Sequence, residues 1–150
     1  MSAKPLNKYV LDTSALMTLI EKEKGIETIE GLLEEASDEK NKIYISTVTA
    51  IEVFYISMQR QDKTIAKRRL ELIDNMPLIV ESLTQDLCRT IGEIKATKPM
   101  SFADSCIAGL AKAKNAILVH KDPEFESVED EIRQLKLPYK KRAGEKPALG

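Results

Sequence analysis

The sequence predicts an α/β fold, a three-layer α/β/α sandwich with a central, mostly parallel sheet of four or five strands. Short apolar runs such as Tyr9–Leu11 and Ile117–Val119 are each followed by a longer segment whose apolar residues have helical spacing. The runs are only three to five residues long, whereas the helical segments have about ten or more. This alternation is typical of parallel β-α units with helices on both faces of the sheet.

Strand and helix signals alternate through the first half of the chain. Helical spacing of the apolar residues begins at Ala15, and a second helix ends where polar residues begin at Ser37. The stretch Thr47–Arg60 is rich in β-branched and aromatic residues, but we predict a helix because four of its apolar residues share one face. Those four residues are Val48, Ile51, Tyr55 and Met58. The predicted elements are strand Tyr9–Leu11, helices Ala15–Lys24 and Ile26–Ala36, strand Ile43–Ile45, and helices Thr47–Arg60 and Lys63–Asn75.

The second half of the chain repeats this pattern. The segment Phe102–Lys114 is rich in Ala and Gly, which indicates close packing against the sheet. Pro138 fits only an edge strand because it has no N–H to donate. The predicted elements are strand Leu78–Val80, helices Thr84–Thr97 and Phe102–Lys114, strand Ile117–Val119, helix Glu124–Leu135 and edge strand Leu137–Tyr139. We expect one domain, residues 1–140, followed by a basic, mobile tail, residues 141–150.

Composition narrows the range of functions. Hydrophobic residues make up 43% of the chain and charged residues 31%, as in ordinary soluble globular proteins. The net charge of −1 provides no general basic field, so nucleic-acid binding would need local patches. Cys88 and Cys106 fit buried, reduced thiols better than a disulfide framework. Because no apolar run reaches membrane length and the N-terminus has no apolar signal region, we expect a cytoplasmic protein with no membrane contact.

Four acidic residues stand where this topology brings side chains to one end of the sheet. Asp12 and Asp122 follow predicted strands, while Glu52 and Asp104 lie in helical segments near strand ends. The functional crevice of a parallel sheet lies at the carboxyl ends of its strands. Clustered carboxylates repel one another unless a cation joins them, and such oxygen ligands suit Mg²⁺ or Mn²⁺. The sequence therefore predicts a divalent-metal site.

Each acid also has an ordinary structural explanation. Asp12 is a good helix cap, and Ser101 with Asp104 resembles a capping box. Glu52 is compatible with a structural salt bridge, and Asp122 with a simple turn. Caps and turns need not converge, so the predicted convergence of all four acids favours the metal site.

With these motifs in this order, the chain resembles the PIN domain family, and in particular the compact ribonuclease toxins of VapBC-type toxin–antitoxin pairs. The resemblance covers nearly the whole chain and rests on four stretches that each contain one acid. One departure is His120, which stands where the family often has a hydroxyl residue two positions before the final acid. The four stretches are Val10–Leu16, Thr49–Val53, Ala103–Ala108 and Val119–Phe125.

The resemblance implies a PIN-like fold and a Mg²⁺- or Mn²⁺-dependent endoribonuclease that hydrolyses phosphodiester bonds of single-stranded or loop RNA. It implies that Asp12, Glu52 and Asp104 bind a first ion, while Asp122 with Asp104 holds a second ion or orients the attacking water. Proteins of this type are commonly homodimers that a small antitoxin protein inhibits. A homodimer and an antitoxin partner are therefore expected.

Residues around the acids are expected to contact the substrate. Thr13 or Ser14 would hydrogen-bond a ligand or the scissile phosphate, or would only cap the helix. Tyr55 and Phe125 are candidates to stack on a base, with core packing as the alternative, and His120 is expected at a strand end or rim. Cations must guide the RNA backbone, although charged residues of this kind also form ordinary solvated helix faces. The candidate cations are Lys67, Arg68, Arg69, Lys95, Lys98, Lys140, Lys141 and Arg142.

Other protein classes fit the sequence less well. A receiver domain needs an aspartate after the third strand, where this chain has Glu81 and Ser82, and an aspartyl phosphatase needs Asp-x-Asp after the first strand. No Gly-rich phosphate loop is present, and no Cys/His spacing fits zinc. A structure-specific DNA nuclease, an RNA-processing nuclease without an antitoxin, and a non-catalytic PIN module that binds RNA or protein stay open.

Overall fold

A sheet of five parallel strands forms the centre of the computed structural model, which describes residues 6–140. The strands have the order β3-β2-β1-β4-β5, so the predicted three-layer α/β fold is confirmed with five strands. The elements are β1 (Asn7–Leu11), α1 (Thr13–Ile20), α2 (Ile26–Ser37), β2 (Asn41–Ser46), α3 (Thr47–Arg60), α4 (Lys63–Asp74), β3 (Ile79–Glu81), α5 (Cys88–Thr97), α6 (Phe102–Lys114), β4 (Ile117–His120) and β5 (Gln134–Lys136), with 3-10 turns at Gln85–Leu87 and Pro123–Val128.

Two hydrophobic cores lie on opposite faces of this sheet. Successive strand residues point to opposite faces, so Val10 and Leu11 of β1 enter different cores. Val10 packs in the core that contains residues of α5 and α6, such as Ile107. Leu11 packs in the core that contains residues of α1 and α2, such as Ile29. Both faces of the central strand are therefore buried, which explains why its sequence is a continuous apolar run rather than an alternating one.

Helix α6 approaches α5 most closely at Gly109. A Cβ atom added at Gly109 would lie 2.5 Å from Cγ1 of Ile91 and 3.5 Å from its Cα. We therefore expect Gly109→Ala to lower the free energy of unfolding by about 1–3 kcal/mol, measured by urea denaturation. The matched control is Gly92→Ala, because nothing lies within 4 Å of a Cβ at Gly92 and alanine favours the helix. Equal effects of the two substitutions would contradict the close approach of α5 and α6.

The predictions for the C-terminal part are wrong in two places. The predicted helix Glu124–Leu135 is instead the 3-10 turn Pro123–Val128 followed by irregular chain, and the edge strand is Gln134–Lys136 rather than Leu137–Tyr139. Phe125, Val128 and Ile132 of this segment are all buried. The conformation differs because Gln134–Lys136 pairs with β4, which a helix through Leu135 would prevent.

Helix α3 is confirmed, but the face from which it was predicted is not its buried face. Ile51, Tyr55 and Met58 are 57%, 43% and 47% exposed. The buried residues of α3 are Thr49, Val53 and Ser57. Small polar residues make this packing acceptable because they find partners; for example, Arg69 of α4 donates to Ser57 Oγ at 2.9 Å. An apolar stripe of Ile51, Tyr55 and Met58, hereafter the α3 stripe, is left facing outwards.

The cysteines, the membrane-spanning potential and the C-terminal tail were also the subject of predictions. Both cysteines have free thiols, but only Cys106 is buried, so the expectation that Cys88 is buried is wrong. Within the described residues, none of the helices has the length and apolar character that crossing a membrane requires. The predicted tail, residues 141–150, lies outside the described residues.

Candidate metal centre

The four predicted acids line one cavity of about 770 Å³ at the carboxyl ends of the strands. Asp12 follows β1 directly, and Asp122 lies two residues beyond β4. Glu52 is in the second turn of α3 and Asp104 in the first turn of α6. The chain order of the strands reverses between β1 and β4, and ligands of open α/β sheets bind at such a reversal.

Asp12 is both a helix cap and a member of this cavity. Its Oδ1 accepts the N–H of Ala15 at 2.7 Å, so it caps α1 as the structural explanation predicted. The Ser14 hydroxyl lies 2.8 and 2.7 Å from the two Asp12 oxygens and donates to them. Asp12 is only 3% exposed, and this burial raises the pKa of its carboxyl to about 7 despite the two donors. Capping α1 therefore does not offset the unfavourable burial of the ionised Asp12 carboxyl, which a bound cation would offset.

Glu52 is held by hydroxyl groups. Thr13 donates to its Oε1 at 2.6 Å, and the Tyr55 hydroxyl donates to its Oε2 at 3.4 Å. Glu52 is half-buried, and its neighbour Ile51 is 57% exposed. These contacts orient the side chain, and none of the salt bridges in the described part of the chain includes Glu52.

Asp104, Asp122 and Glu124 form the tightest group of acids. One carboxylate oxygen from each lies within 4.8 Å of the others. Burial, a hydrogen bond with Glu124, and the negative charges of Asp122, Glu124 and Asp12 raise the pKa of Asp104 to about 8. Only half of the predicted capping box forms: Ser101 Oγ accepts the Asp104 N–H at 3.1 Å, whereas the Asp104 carboxyl lies within 4.8 Å of the Asp122 and Glu124 carboxylates.

Sequence reasoning missed Glu124. The signal was present, since Glu124 lies two residues after Asp122 and its N–H donates to Asp122 Oδ1 at 2.9 Å. From the sequence, Glu124 is placed only at the start of a predicted helix and is given no part in the site. In the observed 3-10 turn it stands beside Asp104.

No cation neutralises these five carboxylates within residues 6–140. None of the salt bridges in that range includes Asp12, Glu52, Asp104, Asp122 or Glu124. Two buried or partly buried members have pKa values raised to about 7 and about 8, which is the response of carboxylates that lack a counter-ion. A set of oxygen donors of this kind fits a hard divalent cation such as Mg²⁺ or Mn²⁺.

Positive side chains also line the cavity, but they pair with other acids. Lys121 is buried, its ammonium donates to the Lys24 carbonyl at 2.9 Å, and it lies 3.8 Å from Glu23 Oε1. Arg60 pairs with Glu21 at 3.7 Å, and Lys140 pairs with Glu23. Of these three cations, only Lys140 was a sequence candidate.

The other candidate cations have different places in the structure. Lys98 pairs with Asp130 and Glu131, Arg69 bonds to Ser57, and neither of them lines the cavity. Three others are exposed on helices, and two lie outside the described residues. The exposed residues are Lys67, Arg68 and Lys95, and the residues outside are Lys141 and Arg142.

The two aromatic residues that were candidates to stack on a base differ in their exposure to solvent. Phe125 is fully buried, so core packing is correct for it, whereas Tyr55 is 43% exposed beside Glu52. His120 ends β4 as predicted but is fully buried rather than at a rim. Its ring centroid lies 5.0 Å from that of Phe125, and burial lowers the pKa of its imidazole.

Comparisons with known proteins give a family match and a set of similar folds. Residues 9–131 match the model of the PIN domain family. VapBC2 from Rickettsia felis, bound to a promoter DNA fragment, has a TM-score of 0.72 and 20% identity over 87% of this chain and 98% of its own. DNA-bound VapBC from Salmonella typhimurium has a TM-score of 0.70 and 23% identity over 87% and 98%.

A further similar structure is Mycobacterium tuberculosis VapC20, described as a toxin that cleaves the sarcin-ricin loop. Its TM-score is 0.63 at 16% identity, over 80% of this chain and 94% of its own. Comparison with curated protein sequences finds no significant match. At these identities the structural likeness shows a shared fold.

Proposed function

Because the chain belongs to the PIN domain family, we propose that it is a Mg²⁺- or Mn²⁺-dependent endoribonuclease and the toxin of a toxin–antitoxin pair. The observation that supports this most directly is that Asp12, Glu52, Asp104 and Asp122 line one cavity, with Glu124 close to two of them, and that none of the five has a salt-bridge partner among residues 6–140. An arrangement that only capped helices would not need to gather these four acids where a parallel sheet binds its ligands. VapC20, whose fold is similar, is described as a toxin that cleaves the sarcin-ricin loop.

The carboxylates of the cavity would hold one or two divalent ions. Asp104, Asp122 and Glu124 would share one ion, since their oxygens already lie within 4.8 Å of one another. Asp12 and Glu52 line the same cavity and would complete the set. A bound ion would supply a nucleophilic water at neutral pH and neutralise charge on the phosphodiester.

The hydroxyl residues next to Asp12 orient the acids. Thr13 donates to Glu52 across 39 positions of sequence, so it ties α1 to α3 at the site. Ser14 donates to Asp12 and accepts the backbone N–H of Lys121 at 3.1 Å, so it ties α1 to the chain after β4. Both hydroxyls are therefore positioning groups that keep carboxylates from distant elements in one cavity.

The RNA backbone would enter over the positive residues of the same cavity. Arg60 and Lys140 are cavity residues whose side chains are 60% and 54% exposed, so an incoming phosphate can reach them. Tyr55 is exposed next to Glu52, where an unpaired base can stack on its ring. Phe125 has no such role because it is buried.

A cleavage assay tests this proposal. Purified protein is incubated with single-stranded, hairpin and duplex RNA, and with DNA of the same sequences, with Mn²⁺, with Mg²⁺ or with EDTA. We expect cuts in single-stranded or loop RNA that depend on the metal and disappear with EDTA. Preferential cutting of DNA would contradict the RNA assignment, and cutting that persists in EDTA would contradict the metal assignment.

The α3 stripe is the proposed docking surface for the antitoxin. Ile51 and Tyr55 lie close to Glu52 in the sequence of α3, and Glu52 lines the acidic cavity, so a partner on the stripe would lie beside that cavity. Two of the similar structures are complexes of VapBC, which supports a partner for this fold. We expect a small protein to co-purify from the native host, and Ile51→Asp to weaken its binding at least about tenfold, as loss of an interface anchor does. Equal binding by wild type and variant would contradict this surface.

A homodimer is also proposed for the isolated chain. Leu83 and Phe102, 47% and 61% exposed, flank an apolar groove on α5 that a second copy would cover. Light scattering of the purified chain measures the mass. A monomeric mass at micromolar concentration would contradict the proposal.

A further inference from the structure

His120 uses both nitrogens of its ring although it is fully buried. Its Nδ1 lies 3.1 Å from the backbone N of Asp122, and its Nε2 lies 2.7 Å from Oε1 of Gln134. The first contact is short-range along the chain, whereas the second joins the end of β4 to β5. His120 thus lies between the strand that precedes Asp122 and the strand at the sheet edge.

The hydrogen-bond partners fix the tautomer of this ring. The Asp122 N–H can only donate, so Nδ1 of His120 must carry no proton and must accept. Nε2 therefore carries the proton and donates to Oε1 of Gln134. The amide of Gln134 is itself oriented, because its Nε2 donates to the carbonyl of Phe125 at 2.6 Å. In each of these three hydrogen bonds, only one assignment of donor and acceptor satisfies all the groups.

The backbone amide just before that of Asp122 is also held by a side chain. The N–H of Lys121 donates to Ser14 Oγ, and the N–H of Asp122 donates to His120. Two consecutive backbone donors are thus satisfied by side chains rather than by the sheet. A buried N–H that loses its acceptor destabilises its local conformation by about 1–3 kcal/mol, so replacing these acceptors would release the turn that presents Asp122 and Glu124.

We propose that His120 is a positioning residue whose Nδ1 fixes the turn after β4, so that Asp122 and Glu124 stand beside Asp104. The proposal rests on the proposed metal-dependent function. His120 touches neither the proposed ion nor substrate; it acts through the backbone of Asp122. The imidazole thus has the role of an acceptor at the position where the family often has a hydroxyl group.

Two substitutions distinguish the roles of the two ring nitrogens of His120. In His120→Asn, Oδ1 takes the place of Nδ1 and keeps an acceptor for the Asp122 N–H, but the donor to Gln134 is lost. In His120→Gln, the terminal amide takes the place of Nε2 and keeps the donor to Gln134, but no acceptor faces Asp122. Hydrogen exchange of the Asp122 amide, followed by NMR, and Mn²⁺ affinity, followed by calorimetry, are measured for both variants.

We expect His120→Gln to lose protection of the Asp122 amide and to bind Mn²⁺ about 10- to 100-fold more weakly, as when a partner that orients a metal ligand is removed. His120→Asn should keep the amide protected and bind Mn²⁺ within about threefold of wild type. Equal losses in both variants would indicate general packing and overturn the proposal, as would unchanged protection in His120→Gln.

The wild-type protein supplies an independent measurement. A scalar coupling across the hydrogen bond between the Asp122 amide and His120 Nδ1 is expected, and its absence would overturn the proposal even if neither variant folded. If wild type binds no Mn²⁺ while the coupling and the amide protection behave as expected, the proposed metal function fails and the role of His120 in the turn stands.

Discussion

Asp104→Asn is expected to lower metal-dependent RNA cleavage by about 100-fold or more and at the same time to stabilise the metal-free protein. Loss of activity follows because Asp104 belongs to the tightest group of acids. The gain in stability follows because burial and three neighbouring acids raise the pKa of Asp104 to about 8, so its charged form is unfavourable in the fold. Cleavage rates and thermal denaturation of the EDTA-treated protein measure the two effects.

The control for this substitution is Asp86→Asn. Asp86 is an exposed aspartate in the 3-10 turn before α5 and lies outside the cavity. Its replacement should leave cleavage unchanged and shift the melting temperature little. If Asp104→Asn cleaves RNA as fast as wild type, the assignment of this carboxylate to the catalytic site is wrong.

The metal-free protein is expected to lose stability as the pH rises from about 4 to about 8. Asp12 and Asp104 have folded-state pKa values of about 7 and about 8, above the value of 3.8 for an unperturbed aspartate. Over this interval the unfolded chain has released these protons while the folded chain retains them, so raising the pH favours unfolding. The stabilising contribution is complete below pH 4 and is lost as the pH passes the folded-state values.

Both acids contribute to the pH effect, and Asp12, the more buried of the two, is the less screened by solvent. Each pKa unit corresponds to about 1.4 kcal/mol, so the loss amounts to a few kcal/mol. Asp12→Asn should flatten the pH dependence, because asparagine can still cap α1 but does not titrate. Denaturant unfolding of wild type and variant from about pH 4.5 to about pH 8.5 measures how the free energy of unfolding depends on pH. Parallel curves of stability against pH for the two proteins would refute the expectation.

Added Mn²⁺ should reverse this loss. An ion that binds only the folded protein stabilises it by about 2.7 kcal/mol at 100 times its dissociation constant. Protons compete with the ion for the same oxygens, so the rise in melting temperature should be larger at pH 8 than at pH 5.5. A rise that does not depend on pH would place the bound ion away from Asp12 and Asp104.

The sequence was sufficient to predict the fold and the cavity in which the four acids lie, because both follow from chain order. A strand that is buried on both faces has a continuous apolar sequence, and Leu11 ends such a strand immediately before Asp12. Parallel strands place their carboxyl ends together, so Asp12 and Asp122 were expected to be neighbours. The catalytic roles assigned to these residues stay predictions.

Details that depend on tertiary packing were not available from the sequence. The outward orientation of Ile51 in α3 follows from how that helix packs on α4, and periodicity alone selected the wrong face. Glu124 was missed because the spacing of Phe125 and Val128 is the same in a helix and in the observed 3-10 turn. The acceptor role of His120 depends on Gln134, which lies 14 positions away and was assigned to a helix.

The absence of a cationic partner for the acids within residues 6–140 has a consequence for the lifetime of the chain in a cell. A protein whose folded form is held below its full stability by internal repulsion populates opened forms more often, and proteases cleave those forms. Supply of the divalent ion would suppress this opening. Under the proposed metal-dependent function, turnover of the protein should therefore respond to metal starvation, since the metal-free chain would be the form degraded fastest.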